Sequence, residues 1–254
     1  MIKAIFFDID GTLVPFGMDH MPESTVRSLY ALREKGILLF IATGRTPHSI
    51  AHVQRMFDFD GYLTSNGQYC FNKEKVIHEK YIPQESFRQL IPYLDEKKIP
   101  IVMATLERSY LNRPNHSPFE DDYPIVDPYT IMNEPLIQIM AYIEEKDDPE
   151  FLKHLPHCKS ARWTPVFADI IPEDGGKDKG IDHMIREYGI QLDEVMVFGD
   201  GGNDITMLAH VPHSVAMGNA NDEVKKHAAY TTSDVLDDGI YRALVHFGVL
   251  EAEG

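Results

Sequence analysis

The chain has 254 residues, 43% of them hydrophobic and 25% charged. That composition excludes a disordered chain and allows one large domain or two modest ones, each able to bury a core. A net charge of −16 argues against non-specific binding to nucleic acid or to an anionic membrane, but not against a small anionic substrate held by a local cation.

In chain order, Ile2–Phe7 is an unbroken apolar run, as in a strand buried on both faces. It meets acid at Asp8, too early for a signal peptide. Glu23–Lys35 follows Pro22, carries apolar Val26, Leu29, Tyr30 and Leu32, and stops at Gly36, which predicts a helix. Ile37–Ala42 is a second buried strand ending in Thr43-Gly44-Arg45, and a helix is expected over His48–Met56. This alternation predicts a parallel α/β sheet.

The same rhythm returns late in the chain. Lys179–Tyr188 reads as a helix closed by Gly189, Val195–Phe198 as a strand ending in Gly199-Asp200, and Ile205–Ala209 as a short helix. Ser214–Met217 reads as a strand ending in Gly218-Asn219, with helices over Asp222–His227 and Ile240–Phe247. Between them the pattern changes. Helical pieces at Phe87–Lys97 and Asp148–Leu155 mix with strand-like runs at Ile101–Ala104, Leu136–Ile143 and Phe167–Ile171, and prolines break Asn112–Pro135 into loops. The expected architecture is a Rossmann-like, doubly wound parallel sheet over residues 1–82 and 176–254, with an α+β domain inserted over 83–175. No run of about 20 apolar residues occurs, and the two cysteines, Cys70 and Cys158, form no CxxC pair, so the cytoplasm is the expected compartment. Oligomeric state is left open, a monomer included.

In open parallel sheets, ligands sit beyond the carboxyl ends of the strands. Four of the expected strands end in polar groups, Asp8, Thr43, Asp200 and Asn219, so these should gather along one edge. Asp8-Ile9-Asp10-Gly11-Thr12 places two carboxylates directly after a buried strand, and Gly199-Asp200-Gly201-Gly202-Asn203-Asp204 places two more after another. Four carboxylates at one edge need a cation or a proton between them. Oxygen donors without His or Cys favour a hard ion, magnesium first. A second copy of the letters, Asp58-Phe59-Asp60-Gly61, follows a helical segment and reads as a turn. Neither acidic stretch fits a calcium-binding EF-hand loop, and Gly175-Gly176-Lys177 lacks the other residues of a Walker loop. His48 and His52 have helical spacing but no third ligand for zinc.

With these motifs the chain resembles the haloacid-dehalogenase-like phosphatases, in the Cof-type sugar-phosphatase branch with a class IIB cap. Asp8-Ile9-Asp10-Gly11-Thr12, Thr43-Gly44-Arg45, Lys177 and Gly199-Asp200 with Asn203-Asp204 match its four motifs; Lys179 competes with Lys177 for the third. The resemblance implies a phosphatase in which Asp8 is the nucleophile and Asp10 the general acid and base. By the same resemblance Thr43 and Lys177 contact the phosphoryl group, and Asp8, Asp10, Asp200 and Asp204 surround Mg2+, Asp10 through its carbonyl and Asp204 either at the metal or orienting the lysine. Gly44, Arg45, Asn66, Gly67 and Asn203 face the substrate, a small phosphate ester such as a sugar phosphate. The inserted domain would be a cap, with Arg108, Arg113, His116, Glu120, Asp121, Arg162 and Trp163 as candidate substrate contacts; core packing is the default for Trp163. Three other readings stand beside this one: a phosphomutase of the same superfamily, a metal-dependent glycosyltransferase using the DxD, and a non-enzymatic sensor. The glycosyltransferase leaves Thr43, Lys177 and the Gly199–Asp204 loop without a purpose.

Overall fold

The apolar run at the amino terminus forms β1 (Ala4–Phe7), buried on both faces at the centre of an eight-stranded sheet. This and all that follows comes from a computed structural model describing residues 1–115 and 123–252. The chain continues through α1 (Glu23–Glu34), β2 (Leu38–Ala42), α2 (Ala51–Met56), β3 (Gly61–Thr64), β4 (Tyr69–Asn72) and β5 (Val76–Glu79). It then leaves the sheet for α3 (Gln84–Lys97), β6 (Ile101–Ala104), β7 (Ser109–Leu111), α4 (Pro128–Ile131), β8 (Gln138–Ala141), α5 (Asp148–Lys153), β9 (Cys158–Ala161) and β10 (Ala168–Pro172). It returns with α6 (Lys177–Tyr188), β11 (Val195–Gly199), α7 (Ile205–His210), β12 (His213–Ala216), α8 (Asp222–Lys225), β13 (Tyr230–Thr231) and α9 (Gly239–His246).

The large sheet has the order β13-β12-β11-β1-β2-β3-β4-β5, parallel from β13 to β3 and antiparallel at β4 and β5. Alternate side chains of β1 feed two cores, as strand geometry requires. Ile5 and Phe7 pack with Leu29 and Leu32 of α1 and Ala243 and Leu244 of α9. Ala4 and Phe6 pack with Ile181 and Met184 of α6 and Met207 and Leu208 of α7. The sheet is therefore covered on both sides, as the apolar strands demand. The inserted cap is a five-stranded antiparallel sheet, β7-β6-β8-β10-β9, with α3 and α5 buried against one face. Among the described residues no helix is long and apolar enough to cross a membrane.

The structure adds strands that the sequence pattern did not announce. β3, β4 and β5 extend the sheet by two hairpins; Val76–Glu79 is the partly exposed edge strand, and Tyr69–Asn72 beside it buries only Cys70, so both are short and leave a weak hydrophobic signal. The expected helix over His48–Met56 opens as a single 3₁₀ turn, Pro47–Ser49, and becomes α-helical only from Ala51. The presumed loop Asn112–Pro135 contains α4, started by Pro128 and capped by the Asp127 side chain, which accepts from the Tyr129 amide at 3.0 Å. The decoy acids are structural. Asp60 Oδ2 accepts from the Leu39 amide at 2.8 Å and Asp58 pairs with Lys73 at 2.6 Å.

Candidate active site

The four polar strand ends do converge. Asp8, Thr43, Asp200 and Asn219 line one cavity of about 600 Å³ between the carboxyl edge of the large sheet and the cap. Asp10, Gly44, Arg45 and Asn203 line it too, and from the cap come Met140, Trp163, Phe167 and Asp169. Gly11 turns the chain at φ 85°, and a Cβ there would collide with the Asp200 carboxylate, so the two acidic loops can touch only if this residue is glycine.

Beneath the cavity, oxygens of Asp8, Asp200 and Asp204 lie within 4.8 Å of one another. Lys177, the first residue of α6, is fully buried and donates to Asp8 Oδ1 at 2.7 Å and to Asp204 Oδ1 at 2.5 Å. Lys179 is half-exposed and pairs with Asp178 instead. Asp204 is also fully buried. Its Oδ2 accepts from the backbone amides of Asp200 at 2.9 Å and Gly201 at 2.8 Å. Thr12 donates to Asp200 Oδ1 at 2.9 Å, and Asn219 reaches Asp200 Oδ2 at 3.3 Å and the Gly11 carbonyl at 2.8 Å.

Burial, with like charge beside it, pushes the carboxyl groups of Asp8 and Asp200 well above the ordinary carboxylate value; Lys177 opposes this at both. One ammonium therefore does not neutralise three buried carboxylates. A divalent cation between Asp8 and Asp200 would supply the missing charge, and the all-oxygen donor set suits a hard ion. Asp204 stays within this cluster, and its bonds to Lys177 and two amides also suit the other role expected of it, orienting the lysine.

Arg45 and Asp10 stand at the rim as an ion pair, Nη2 to Oδ1 at 2.6 Å and Nε to Oδ2 at 2.8 Å. Thr43 Oγ1 accepts from the Arg45 amide at 3.1 Å. Asn66 and Gly67 do not face the cavity. Asn66 adopts a left-handed conformation, φ 55° and ψ 38°. Its amide donates to Asp169 Oδ2 at 3.0 Å and Gln138 Oε1 at 3.2 Å, and accepts from Asn203 at 3.0 Å. Its side chain thus joins the cap, through Nδ2, to the Asn203 loop, through Oδ1, and Gly67 packs its backbone on Gly176.

Of the candidate cap contacts, Trp163 lines the cavity, edge-on to Phe167 at 5.4 Å, so core packing is not its place. Arg162 grips Asp148 at 2.5 Å, Arg113 pairs with Asp95, and Arg108 pairs with Glu107. None of these three lines the cavity. His116, Glu120 and Asp121 lie outside the described residues. His48 touches Ser109 of the cap at 3.2 Å, and His52 meets the Asp19 carbonyl at 2.7 Å. Sequence reasoning missed Phe16 and Asp169. An acid inside the apolar run Phe167–Ile171 was the available signal for the second.

Comparison with known proteins matches this architecture throughout. The family model of haloacid dehalogenase-like hydrolases covers residues 5–244. The structure of BT4131, described as a sugar phosphatase of subclass IIB in that superfamily, is 40% identical, with a TM-score of 0.92 over 98% of this chain and 100% of that one. BT1666 from Bacteroides thetaiotaomicron, from a study of phosphatases of the superfamily, is 30% identical, with a TM-score of 0.90 over 98% and 96%. YkrA of Bacillus subtilis is 30% identical over 256 residues, 98% of this chain and 99% of its own length. The chain belongs to the haloacid dehalogenase-like hydrolases and is a phosphatase of that superfamily, with an α/β core sheet and a cap.

Proposed function

We propose that this phosphatase is magnesium-dependent and hydrolyses a small phosphorylated metabolite, a sugar phosphate, through a phospho-enzyme on Asp8. The observation that carries the reading is the buried carboxylate cluster beneath the cavity, with Lys177 bridging Asp8 and Asp204. Asp8 and Asp200, with the Asp10 carbonyl, would hold the ion; when bound, magnesium keeps Asp8 ionised and offsets charge on the phosphoryl oxygens. Asp204 takes the positioning role, fixing Lys177 and the 200–201 backbone.

The Asp8 carboxylate attacks phosphorus, and the bond from phosphorus to the leaving oxygen breaks. Asp10 gives that oxygen a proton. Water then attacks the aspartyl-phosphate, Asp10 takes its proton, and the phosphorus–Asp8 bond breaks to release phosphate. Thr43, Lys177 and Asn203 steady the phosphoryl oxygens, as a reaction that is mostly charge management requires. Arg45 serves both Asp10 and the incoming phosphate.

Residues 83–175 act as the cap that excludes water and selects the alcohol. The sugar-phosphate assignment draws on the likeness to BT4131, itself described as a sugar phosphatase. The two unpaired thiols accord with a reducing, cytoplasmic setting, and the acidic chain has no evident use for nucleic acid. A screen of phosphorylated metabolites with magnesium and with chelator, reporting released phosphate, tests the proposal. Turnover that chelator leaves unchanged would remove the metal from it.

A further inference from the structure

Asp169 is placed where an acid is costly unless something uses it. It sits inside β10, only 2% exposed, flanked by Ala168 and Ile170, which enter the cap core. Strand alternation turns Phe167 and Asp169 the opposite way, and both line the cavity. The neighbouring strand β8 does the same. Ile139 and Ala141 enter the core, Met140 lines the cavity, and Gln138 bonds across to the catalytic loops.

One oxygen of Asp169 is accounted for. Oδ2 accepts from Asn66 at 3.0 Å. The other, Oδ1, is buried without a hydrogen-bond partner among the described residues. No ammonium or guanidinium among them bonds this carboxylate either. A buried acceptor left open is uncommon, because it forfeits its hydration without replacement. The need to seat the cap on Asn66 does not explain it, since an amide oxygen would accept that bond equally well.

The surroundings specify what the open acceptor should meet. A Cβ on Gly44 would lie 3.1 Å from Asp169 Oδ2, so the carboxylate reaches down beside the Thr43-Gly44 backbone. Gly44 is adjacent to the threonine assigned to the phosphoryl group, which puts Asp169 near the ester end of the cavity. Phe16, 62% exposed, and Trp163 line the same space and offer apolar surface to carbon. A ligand matching this set carries a phosphate, a hydroxyl close to the ester, and a carbon skeleton that rests on aromatic rings.

We propose that Asp169 is a specificity-determining residue, whose Oδ1 accepts a hydrogen bond from a hydroxyl of the leaving group close to the phosphoester. This rests on the phosphatase reading above and adds to it the cap residue that distinguishes polyol phosphates from simple esters. A site built to bond a hydroxyl rejects an analogue lacking it, because the buried acceptor stays unpaired.

The test compares wild type, Asp169→Ala and Asp169→Asn on two groups of esters. Glucose 6-phosphate, ribose 5-phosphate and glycerol 3-phosphate carry hydroxyls; n-butyl phosphate and p-nitrophenyl phosphate have no leaving-group hydroxyl. Wild type is expected to favour at least one hydroxylated ester over n-butyl phosphate. For that ester, Asp169→Ala should lower kcat/KM by about 10-fold or more, the worth of a hydrogen bond to a buried acceptor, while the hydroxyl-free esters change less than about threefold. Asp169→Asn keeps the shape and the Asn66 contact but offers an N–H in place of the acceptor. It should show the same selective loss at smaller size, and it carries the test should the alanine variant fail to fold.

An equal loss on both groups would mean that Asp169 only seats the cap, and would overturn the proposal. So would no loss on either, or a wild type indifferent to the hydroxyl. In those cases hydrolysis of p-nitrophenyl phosphate keeps the phosphatase reading standing. A wild type that cleaves none of the five esters rejects that reading itself.

Discussion

Arg45 holds Asp10 with both arms of its guanidinium, at 2.6 and 2.8 Å, at the mouth of the cavity. The pair is part-exposed, and the bond to Asp10 holds the Arg45 guanidinium firmly charged. In this arrangement both Asp10 oxygens accept, so the group proposed to deliver a proton is held as an acceptor. A phosphate entering the cavity competes for the same fork. Arg45→Ala is therefore expected to raise KM for a phosphate ester and to lower kcat/KM by about 10–100-fold. Arg45→Lys keeps the charge, loses the fork, and should recover only part. Steady-state kinetics decide it, and an unchanged KM in both variants would separate Arg45 from the phosphate.

Asp8→Asn should remove turnover by about 10⁴-fold or more, as loss of a nucleophile does. Labelled phosphate should no longer be trapped on the protein after an acid quench. The fold should survive, because the amide has the carboxylate's shape and burial already disfavours charge at Asp8. Turnover persisting above a tenth of wild type would move the nucleophile elsewhere.

Lys177 is the only cation hydrogen-bonded to Asp8 and Asp204 among the described residues, and Asp204 is fully buried. Lys177→Met should cost about 3–5 kcal/mol of stability, the usual result of leaving a buried charge uncompensated. Adding Asp204→Asn to it should restore part of that loss, because the stranded charge is then gone. Denaturant melts of both single variants and the double variant measure the coupling. Strict additivity would mean that the two side chains do not depend on each other.

Magnesium and protons should compete for the Asp8–Asp200 pair. Burial raises both groups, Asp8 from 3.8 to about 7. For an acid raised in the folded state, the stability it contributes is complete below the unfolded value and disappears as pH rises through the folded one. The metal-free protein should therefore lose stability from about pH 4 to about pH 8. Magnesium needs both groups ionised, so its stabilisation should grow over the same window. At 100-fold over Kd near the top of the window, the expected gain in Tm is about 5–10 °C. Thermal melts with magnesium and with chelator across that range check the slope. A magnesium effect that shrinks as pH rises would place the ion away from these carboxylates.

How much of this was readable in advance differs from residue to residue. Asp8, Thr43, Asp200 and Asn219 could be placed at one edge because each directly follows an apolar run, and parallel strands present all their carboxyl ends on the same side. The decoy Asp58 and Asp60 could be set aside on the same ground. Edge strands such as Val76–Glu79 were not visible, since they bury too little to leave an apolar pattern. The resemblance set Asn66 at the substrate, whereas in the structure its side-chain amide joins the cap to the core.

The sequence by itself determined the doubly wound core, the inserted cap and the acidic loops, because these rest on local periodicity and on what a short stretch of chain must do after a buried strand. Tertiary structure alone decided the partners. Arg45 meets Asp10 across 35 positions, Asn66 meets Asp169 across 103, and Lys177 meets Asp8 across 169. Pairings of that kind depend on how strand ends, helix starts and the two sheets are brought together through space, and no local pattern in the chain records which side chains will meet there or which carboxylate oxygen will be left open.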